Sequence, residues 1–330
     1  MARQPSETLE RKTAVLNPKR SIYIITEGIT EKNYMDHIKN NFKFSDKILD
    51  VEIIDKGLLN RDVSDRRNLV HYFDGWRNLR SNRKCKIEHY ISIVLENYYN
   101  CYNKNPEIEP KLMELYKELC NDIRISCHQD VDGDGRVSES STLFKDIYSR
   151  CYKKFPDTDT APESMEKPSK LEPPKQRFLS EDQFYIMFDR DFDREYRDKK
   201  EYDETIAFIE KKKYIPLVTT PQFELWLLMH FQDASFAGIK YNTNSASIEC
   251  RLSQKDAREG DNEGSNKKYI DNKRFESTYL HNIPVAISTS LDKTRFVTDV
   301  MDLEHNIGTN LGLFLRDILG LETFDIRDTS

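Results

Sequence analysis

The sequence predicts an α/β fold in which a central parallel sheet is flanked by helices. Three short runs are rich in β-branched and aromatic residues, namely residues 21–26, 48–55 and 184–188, and the first is apolar on both faces. Such runs are typical of strands buried in a parallel sheet. Amphipathic segments with helical spacing separate them, and alternating strands and helices place helices against the sheet. The length of 330 residues suits one large domain that carries an insertion.

The first half of the chain contains two strand–helix units. Residues 21–26 form the first predicted strand, which ends at Glu27, and residues 30–41 then have the spacing of an amphipathic helix. Residues 48–55 form the second strand and again end on an acidic residue, followed by helical spacing over residues 66–79. Two such units in succession indicate an α/β fold.

The middle of the chain predicts a helical insertion and a linker. Residues 87–99 and 111–125 are amphipathic, and no convincing strand lies between residues 84 and 154. Five of the 12 prolines then fall within residues 156–174, a composition typical of extended linkers. The predicted organisation is a polar N-terminal arm (1–20), the first half of the α/β domain (21–83), the insertion (84–155), the linker (156–180), and the second half of the domain with C-terminal helices (181–330).

The second half resumes the α/β pattern. Residues 184–188 form a strand, residues 201–213 a helix and residues 214–220 another strand. Residues 223–231 are apolar nearly all round, which predicts a buried helix. Residues 267–319 are predicted to form helices on the flank.

Composition excludes several classes of function. With 11 glycines and neither a G-x-x-x-x-G-K-[ST] nor a G-x-G-x-x-G motif, the chain has no glycine loop to cradle nucleotide phosphates. No C-x-x-C or H-E-x-x-H spacing supports zinc chemistry. The net charge of −6 limits nucleic-acid contacts to a local basic track. A polar N-terminus, and apolar runs far shorter than the ~18 residues of a membrane span, predict a cytoplasmic protein without membrane contact.

Acidic residues stand at the ends of the predicted strands: Glu27, Asp55, and the series Asp189, Asp191 and Asp193. Ligands of parallel sheets bind just beyond the carboxyl ends of the strands. Because extended backbone alternates with period two, Asp189 and Asp191 are expected to point to the same side. Carboxylate oxygens are the ligands that Mg²⁺ prefers. The sequence therefore predicts a cation site, with solvated strand ends and helix caps as the alternative.

These residues carry a family resemblance. Glu27–Gly28 after the first strand, with Asp189–Asp191 after a later one, resembles the Toprim domain of topoisomerases, primases and certain nucleases. More narrowly, four blocks together resemble the RloB-like family, which is linked to restriction and abortive-infection loci in bacteria. The blocks are Ile24–Glu31, Phe188–Asp191, Thr220–Phe231 and Asn306–Asn310. Residues 84–174 match nothing recognisable in that family.

The resemblance implies roles for individual residues. Glu27 corresponds to the Toprim glutamate, a metal ligand or general acid/base, and Asp189 and Asp191 to the D-x-D metal ligands. Asp193 and Glu31 are implied as auxiliary ligands, whereas Glu224 is either a further ligand or a cap of its own helix.

The function implied is that of a metal-dependent nuclease, using Mg²⁺ or Mn²⁺, that cleaves RNA, tRNA included, or DNA in a bacterial defence system against phage. The resemblance also implies a partner ATPase encoded nearby, because several Toprim defence proteins act beside one, and the chain has no ATPase motif of its own. Oligomerisation stays open. The alternative is a non-catalytic nucleic-acid-binding or regulatory module that acts with such an ATPase.

A separate acidic loop fits the first nine positions of an EF-hand, with Asp130, Asp132 and Asp134 at the ligand positions. The twelfth position is Ser141 instead of the bidentate glutamate. Weak Ca²⁺ binding is one interpretation, and an acidic turn within the insertion is the other.

Basic residues cluster in spite of the acidic total. The cluster comprises Arg77, Arg80, Arg83, Lys84 and Lys86, and Lys268 lies beside an aromatic residue further along the chain. Such a track is typical of contacts to a phosphate backbone, although charge runs are also common on solvated faces. These residues are therefore candidates for nucleic-acid binding.

Overall fold

A computed structural model describes residues 19–55, 66–81, 83–101, 108–122, 128–129, 131–137, 141–154, 176–190, 199–258 and 270–321. The strands are β1 (Arg20–Thr26), β2 (Ile48–Asp55), β3 (Cys85–Lys86), β4 (Arg136–Val137), β5 (Gln183–Asp189), β6 (Ile215–Thr220) and β7 (Gly308–Thr309). The main sheet has five strands in the order β2-β1-β5-β6-β7. Its pairs are parallel except β6–β7, which is antiparallel. The predicted α/β class is confirmed.

Helices cover both faces of this sheet. They are α1 (Ile29–Asn41), α2 (Arg66–Arg80), α3 (Ile87–Cys101), α4 (Glu109–Asn121), α5 (Ser141–Lys154), α6 (Lys199–Lys211), α7 (Phe223–Leu228), α8 (Ser245–Arg258), α9 (Ile283–Ser290) and α10 (Leu311–Leu319). Helices α2 to α6 share one core with one face of the sheet, and α1 and α7 to α10 share another core with the opposite face. Within the described ranges, no helix is both long enough and apolar enough to cross a membrane.

The central strand β1 shows why these residues form a buried sheet. Tyr23 and Ile25 belong to one core, and Ile22 and Ile24 belong to the other. All four side chains are at most 3% exposed. A strand that is buried on both faces needs a continuous apolar run, and this run is the pattern on which the prediction rested.

The insertion is part of the same hydrophobic core. Leu112 of α4 and Phe144 of α5 are buried in the core that also contains Phe184 of β5. The prediction that residues 84–154 contain no strand was wrong, because β3 pairs with β4 through Cys85↔Val137. Strands of two residues are too short to show alternation. The N-terminal arm to residue 18 and residues 155–175 of the linker lie outside the described residues.

The block Asn306–Asn310 contains the edge strand of the sheet, which pairs with β6. Gly308–Thr309 form β7, and Asn310 follows it. The Asn310 side chain accepts a hydrogen bond from the Val218 N–H (2.8 Å) and donates one to the carbonyl of Pro216 (2.8 Å). Helices alone were predicted for residues 267–319, so the strand is a correction. Its two residues give no periodic signal in the sequence.

We expect Gly308→Ala to lower the free energy of unfolding by more than about 2 kcal/mol. Gly308 has φ of 155°, and a Cβ there would overlap the carbonyl oxygen of Val297. Gly133→Ala is the matched control, because φ at Gly133 is not positive and nothing lies within 4 Å of its Cβ position. Urea denaturation of both variants measures the difference. Equal stability of the two variants would contradict this account of β7.

Candidate carboxylate site

Acidic side chains meet where β1 and β5 end and α1 and α7 begin. Glu27 directly follows β1, and Asp189 is the last residue of β5. Glu31 lies in the first turn of α1, and Glu224 lies in the first turn of α7. Glu31, Glu224 and Glu27 all lie close enough to Asp189 for their charges to act on it. The structure therefore brings four of the predicted ligands together.

Asp189 is the most perturbed group of the cluster. Burial of its carboxyl group, and then the charges of Glu31, Glu224 and Glu27, raise the pKa of Asp189 well above its ordinary value of 3.8. A hydrogen bond from the backbone N–H of Phe223 opposes this shift and favours the carboxylate. Like charges this close disfavour full ionisation unless a proton or a cation lies among them.

Glu27 is held in place from both sides. Its backbone N–H donates to the carbonyl of Met187 (3.0 Å), which ties the residue to β5. Its Oε2 accepts a hydrogen bond from the Asp189 N–H (3.3 Å) and lies 3.7 Å from Nε of Arg66. The Glu27 side chain is still 25% exposed, whereas that of Arg66 is 2% exposed. Glu27 is thus oriented from within the protein while its carboxylate remains accessible to a ligand.

Two buried arginines lie behind Glu27, one in contact with it and the other close to the first, and sequence reasoning missed both. Arg66, at the start of α2, donates from Nη2 to the carbonyl of Arg190 (2.7 Å). Arg190 is fully buried, and its guanidinium lies 4.9 Å from the ring centroid of Tyr202. Burial, and then the charge of Arg66, lower the pKa of Arg190. The only sequence signal was the position of Arg190 directly after Asp189, since charged residues are ordinarily expected on the surface.

Glu31 occupies space that only a glycine leaves free. It is 6% exposed, and its carboxylate lies where a Cβ on Gly28 would be. The backbone of Gly28 is extended and open to any residue, so the close approach of Glu31 is what requires glycine here. The Glu27–Gly28 pair recognised in the sequence therefore has two roles. Glu27 supplies one carboxylate, and Gly28 leaves space for the carboxylate of Glu31.

A buried hydrogen-bonded pair positions the helices that carry Glu31 and Glu224. Tyr34 of α1 donates from its hydroxyl to Nε2 of His230 (3.0 Å). Burial lowers the pKa of His230 to about 4, so the ring is neutral at physiological pH. Its Nδ1–H donates to the carbonyl of Trp226 in α7 (3.1 Å), which assigns the tautomer. His230 thus acts in packing, as expected for most histidines of this chain.

The cluster as it stands is not a complete metal site. Among the described residues, no group of three or more His, Cys, Asp or Glu side chains is arranged to hold a metal ion. Asp191 and Asp193 lie in residues 191–198, and the side chain of Asp55 is likewise outside the described part of the chain. Glu27, Glu31, Asp189 and Glu224 remain the described residues that are placed to contribute oxygen ligands.

The EF-hand-like loop forms a turn around Asp132. Its Oδ1 accepts hydrogen bonds from the N–H groups of Asp134 (3.0 Å) and Arg136 (2.9 Å), and its Oδ2 pairs with Nζ of Lys84 (2.9 Å). These contacts lower the pKa of Asp132, with the Lys84 hydrogen bond as the largest cause. Asp130 lies outside the described residues. A calcium ion would have to compete with Lys84 for Asp132.

The predicted basic track is divided between packing and surface. The Arg77 guanidinium stacks on the ring of Phe184 at 4.1 Å. Arg80 pairs with Glu52 (2.8 Å), and Lys84 pairs with Asp132 (2.9 Å). Arg83 and Lys86 are exposed, and Lys268 lies outside the described residues. Of the predicted contacts, Arg83, Lys84 and Lys86 therefore keep the exposure that a contact with a phosphate backbone needs, although Lys84 is ion-paired with Asp132.

Fold and cluster together define an α/β protein with a carboxylate-rich centre at the carboxyl edge of its parallel strands. The family model described as RloB-like protein matches residues 22–318, nearly the whole chain. The chain belongs to the RloB-like family. Neither the curated proteins nor the solved structures compared with it give a match.

We expect Asp189→Asn to stabilise the metal-free protein at pH 7 by about 0.5–2 kcal/mol. In the unfolded chain Asp189 titrates near 3.8, and in the folded protein its pKa is raised. The stability that this carboxyl group contributes is therefore fully present at pH values below its pKa in the unfolded chain. It is lost as the pH rises through the pKa of Asp189 in the folded protein. The asparagine variant avoids that loss. Urea denaturation in EDTA at pH 7 and at pH 4 should show the gap between variant and wild type closing at the lower pH.

Asp46→Asn is the control for this comparison, because Asp46 is exposed on the turn before β2. Its stability should follow that of the wild type at both pH values. An Asp189→Asn protein that is less stable than the wild type at pH 7 would show that the cluster is not under electrostatic strain.

We also expect Ca²⁺ to bind the loop weakly, and Lys84→Gln to tighten that binding by removing the ammonium group that competes for Asp132. Calorimetric titration with CaCl₂ measures both affinities. Asp132→Asn should abolish the heat of binding. If neither substitution changes the measured affinity, calcium binds outside this loop.

Proposed function

We propose that this protein is a metal-dependent nuclease of a bacterial anti-phage or abortive-infection system, with RNA, tRNA included, or DNA as its substrate. The observation that supports this best is the raised pKa of Asp189 among Glu31, Glu224 and Glu27. Strongly perturbed carboxylates at the carboxyl edge of a parallel sheet are typical of functional centres. Membership of the RloB-like family favours the same assignment.

Mg²⁺ or Mn²⁺ suits the donor set, since all four described side chains offer hard oxygen ligands. Such an ion relieves the repulsion among the carboxylates, polarises a phosphate and lowers the pKa of a bound water. Asp189 and Glu27 would hold it, joined by Asp191, with Asp193, Glu31 and Glu224 as auxiliary ligands.

The residues around the cluster have distinct tasks in this proposal. The Asp189 N–H and Arg66 fix the orientation of the Glu27 carboxylate through Oε2. Arg190 is fully buried, so its charge acts through the protein and does not touch the substrate. Contacts with the phosphate backbone would come from Arg83 and Lys86, whose side chains are exposed, and from Lys268, which the sequence places beside an aromatic residue. Because the chain has no ATPase motif, any step driven by ATP hydrolysis is assigned to a partner ATPase.

A second candidate is a non-catalytic module that binds nucleic acid or regulates a partner. It is favoured by one observation: among the described residues, no trio of acidic side chains is arranged for a metal ion. In that case the carboxylates would be retained for structure alone. The two candidates differ in whether phosphodiester bonds are broken.

We expect purified protein to cut at least one substrate among tRNA, other RNA, and single- and double-stranded DNA, with Mg²⁺ or Mn²⁺ present and EDTA abolishing the reaction. Glu27→Gln and Asp189→Asn should each reduce the rate at least about 100-fold, because each removes a charge that interacts with the metal or the transition state. Gel assays of the products measure the rates, and circular dichroism verifies folding.

Asp46→Asn and Glu276→Gln are matched controls, since both carboxylates are exposed and lie outside the cluster. Both should retain the wild-type rate. Full activity of the Glu27→Gln and Asp189→Asn variants would show that the carboxylate cluster is not the catalytic site. A complete lack of cleavage, with the neighbouring gene product also present, would favour the non-catalytic module.

A further inference from the structure

A second polar site lies at the other end of α2. Four arginines, Arg77, Arg80, Arg83 and Arg177, line a pocket of about 620 Å³. We call it the arginine pocket. Its volume lies within the range of about 300–1,000 Å³ that is typical of small-ligand sites. No residue of the carboxylate cluster takes part in it.

The arginine pocket is separated from the carboxylate cluster by the length of α2. Arg66 contacts Glu27 at one end of this helix, and Arg80 lies at the other. At ~1.5 Å per residue, the two ends are roughly 20 Å apart. Gln176 contacts the C-terminal end of α2. Its backbone N–H donates to the Arg80 carbonyl (2.8 Å), and its side chain donates to the hydroxyl of Tyr23 (2.5 Å). The pocket therefore lies toward the amino ends of the strands.

The pocket carries an excess of positive charge. Arg80 is paired with Glu52. In the part of the chain that the structure describes, Arg77, Arg83 and Arg177 form no ion pair with a carboxylate, and Arg83 and Arg177 are exposed. Guanidinium groups that share one pocket repel one another, and an anion bound among them offsets this repulsion. A ligand with several negative charges matches this excess.

Two of the arginines are held in fixed positions by aromatic rings. The Arg77 guanidinium lies 4.1 Å from the ring centroid of Phe184, and that of Arg80 lies 4.3 Å from the ring centroid of Trp76. Arg80 also donates to the side-chain oxygen of Gln176 (3.0 Å). Guanidinium groups held in this way lose little freedom when they bind an anion, and their planar donors fit phosphate oxygens in pairs.

We infer that the arginine pocket binds the polyphosphate chain of a nucleotide. A triphosphate carries the negative charge that the pocket lacks. The half-buried ring of Phe178, which packs against Tyr23 and Phe184, forms part of the pocket wall. The arginines here replace the glycine loop that is missing from the sequence. The source of the polyphosphate is either a free nucleoside triphosphate or the 5′-triphosphate end of an RNA strand. This inference does not depend on the proposed nuclease activity.

Equilibrium binding to the full-length protein in EDTA, where metal-dependent cleavage cannot occur, tests the inference. The probes are ATP, AMP, adenosine, inorganic tripolyphosphate, and an RNA oligomer with either a 5′-triphosphate or a 5′-hydroxyl. Calorimetry gives the affinities. The fluorescence of Trp76, which packs against Arg80, gives a second readout, and Trp226 lies in the other core. We expect tripolyphosphate and ATP to bind, AMP to bind more weakly, and adenosine not to bind.

The double variant Arg83→Ala/Arg177→Ala should weaken tripolyphosphate and ATP binding at least about tenfold, because each guanidinium contributes charged hydrogen bonds. Both side chains are exposed, so the variant is expected to fold. Arg295→Ala removes an exposed arginine that pairs with Asp292 outside the pocket and should leave the affinities unchanged. Tighter binding of triphosphate RNA than of ATP identifies a strand end as the ligand, and the reverse identifies a free nucleotide.

Two results would overturn the inference. One is the absence of tripolyphosphate and ATP binding at millimolar concentration. The other is binding that is equally strong in the double variant, which would place the anion site elsewhere. Because these measurements need no cleavage, they leave the nuclease proposal to be judged by its own assay.

Discussion

Repulsion among acidic side chains gathered at one edge of the sheet is the constraint around which the rest of this structure is arranged. Asp189 is buried close to Glu31, Glu224 and Glu27, and its burial and then their charges raise its pKa. Burying like charges without a partner is costly, so the surrounding structure has to hold them there. The strands and helix starts do this through the backbone, which places each carboxylate at a chain position that the fold itself fixes.

Several compensating features lie directly behind the cluster. Arg66 puts positive charge beside Glu27, and Arg190 lies close to Arg66. The aromatic rings of Phe188 and Tyr202 cover the two guanidinium groups. The pair formed by Tyr34 and His230 joins the helices on the opposite face. These residues belong to different strands and helices, so the acidic edge is supported by contacts distant in sequence.

Much of the fold and part of the site were predictable from local pattern. Continuous apolar runs predicted the buried strands, and the acids that follow them predicted Glu27 and Asp189. Arg66 and Arg190 were not predictable as buried residues, because arginine is ordinarily solvated and only tertiary packing reveals otherwise. Strands β3, β4 and β7 were not predicted, because a strand of two residues is too short to show an alternating hydrophobic pattern. The arginine pocket was anticipated only in part: Arg177 is far from Arg77 in sequence and joins it through the fold.

The position of β1 next to β5 has a consequence for how the protein folds. Ile24 pairs with Tyr185, a partner about half the chain away. During synthesis, β1 can pair with β2 early, but its other edge must wait until the whole insertion has left the ribosome before β5 exists. Pairings so distant in sequence close slowly, since the loop entropy is lost before the contact forms. The helices of the insertion, whose contacts are local, are expected to form first, and the centre of the sheet to be completed late.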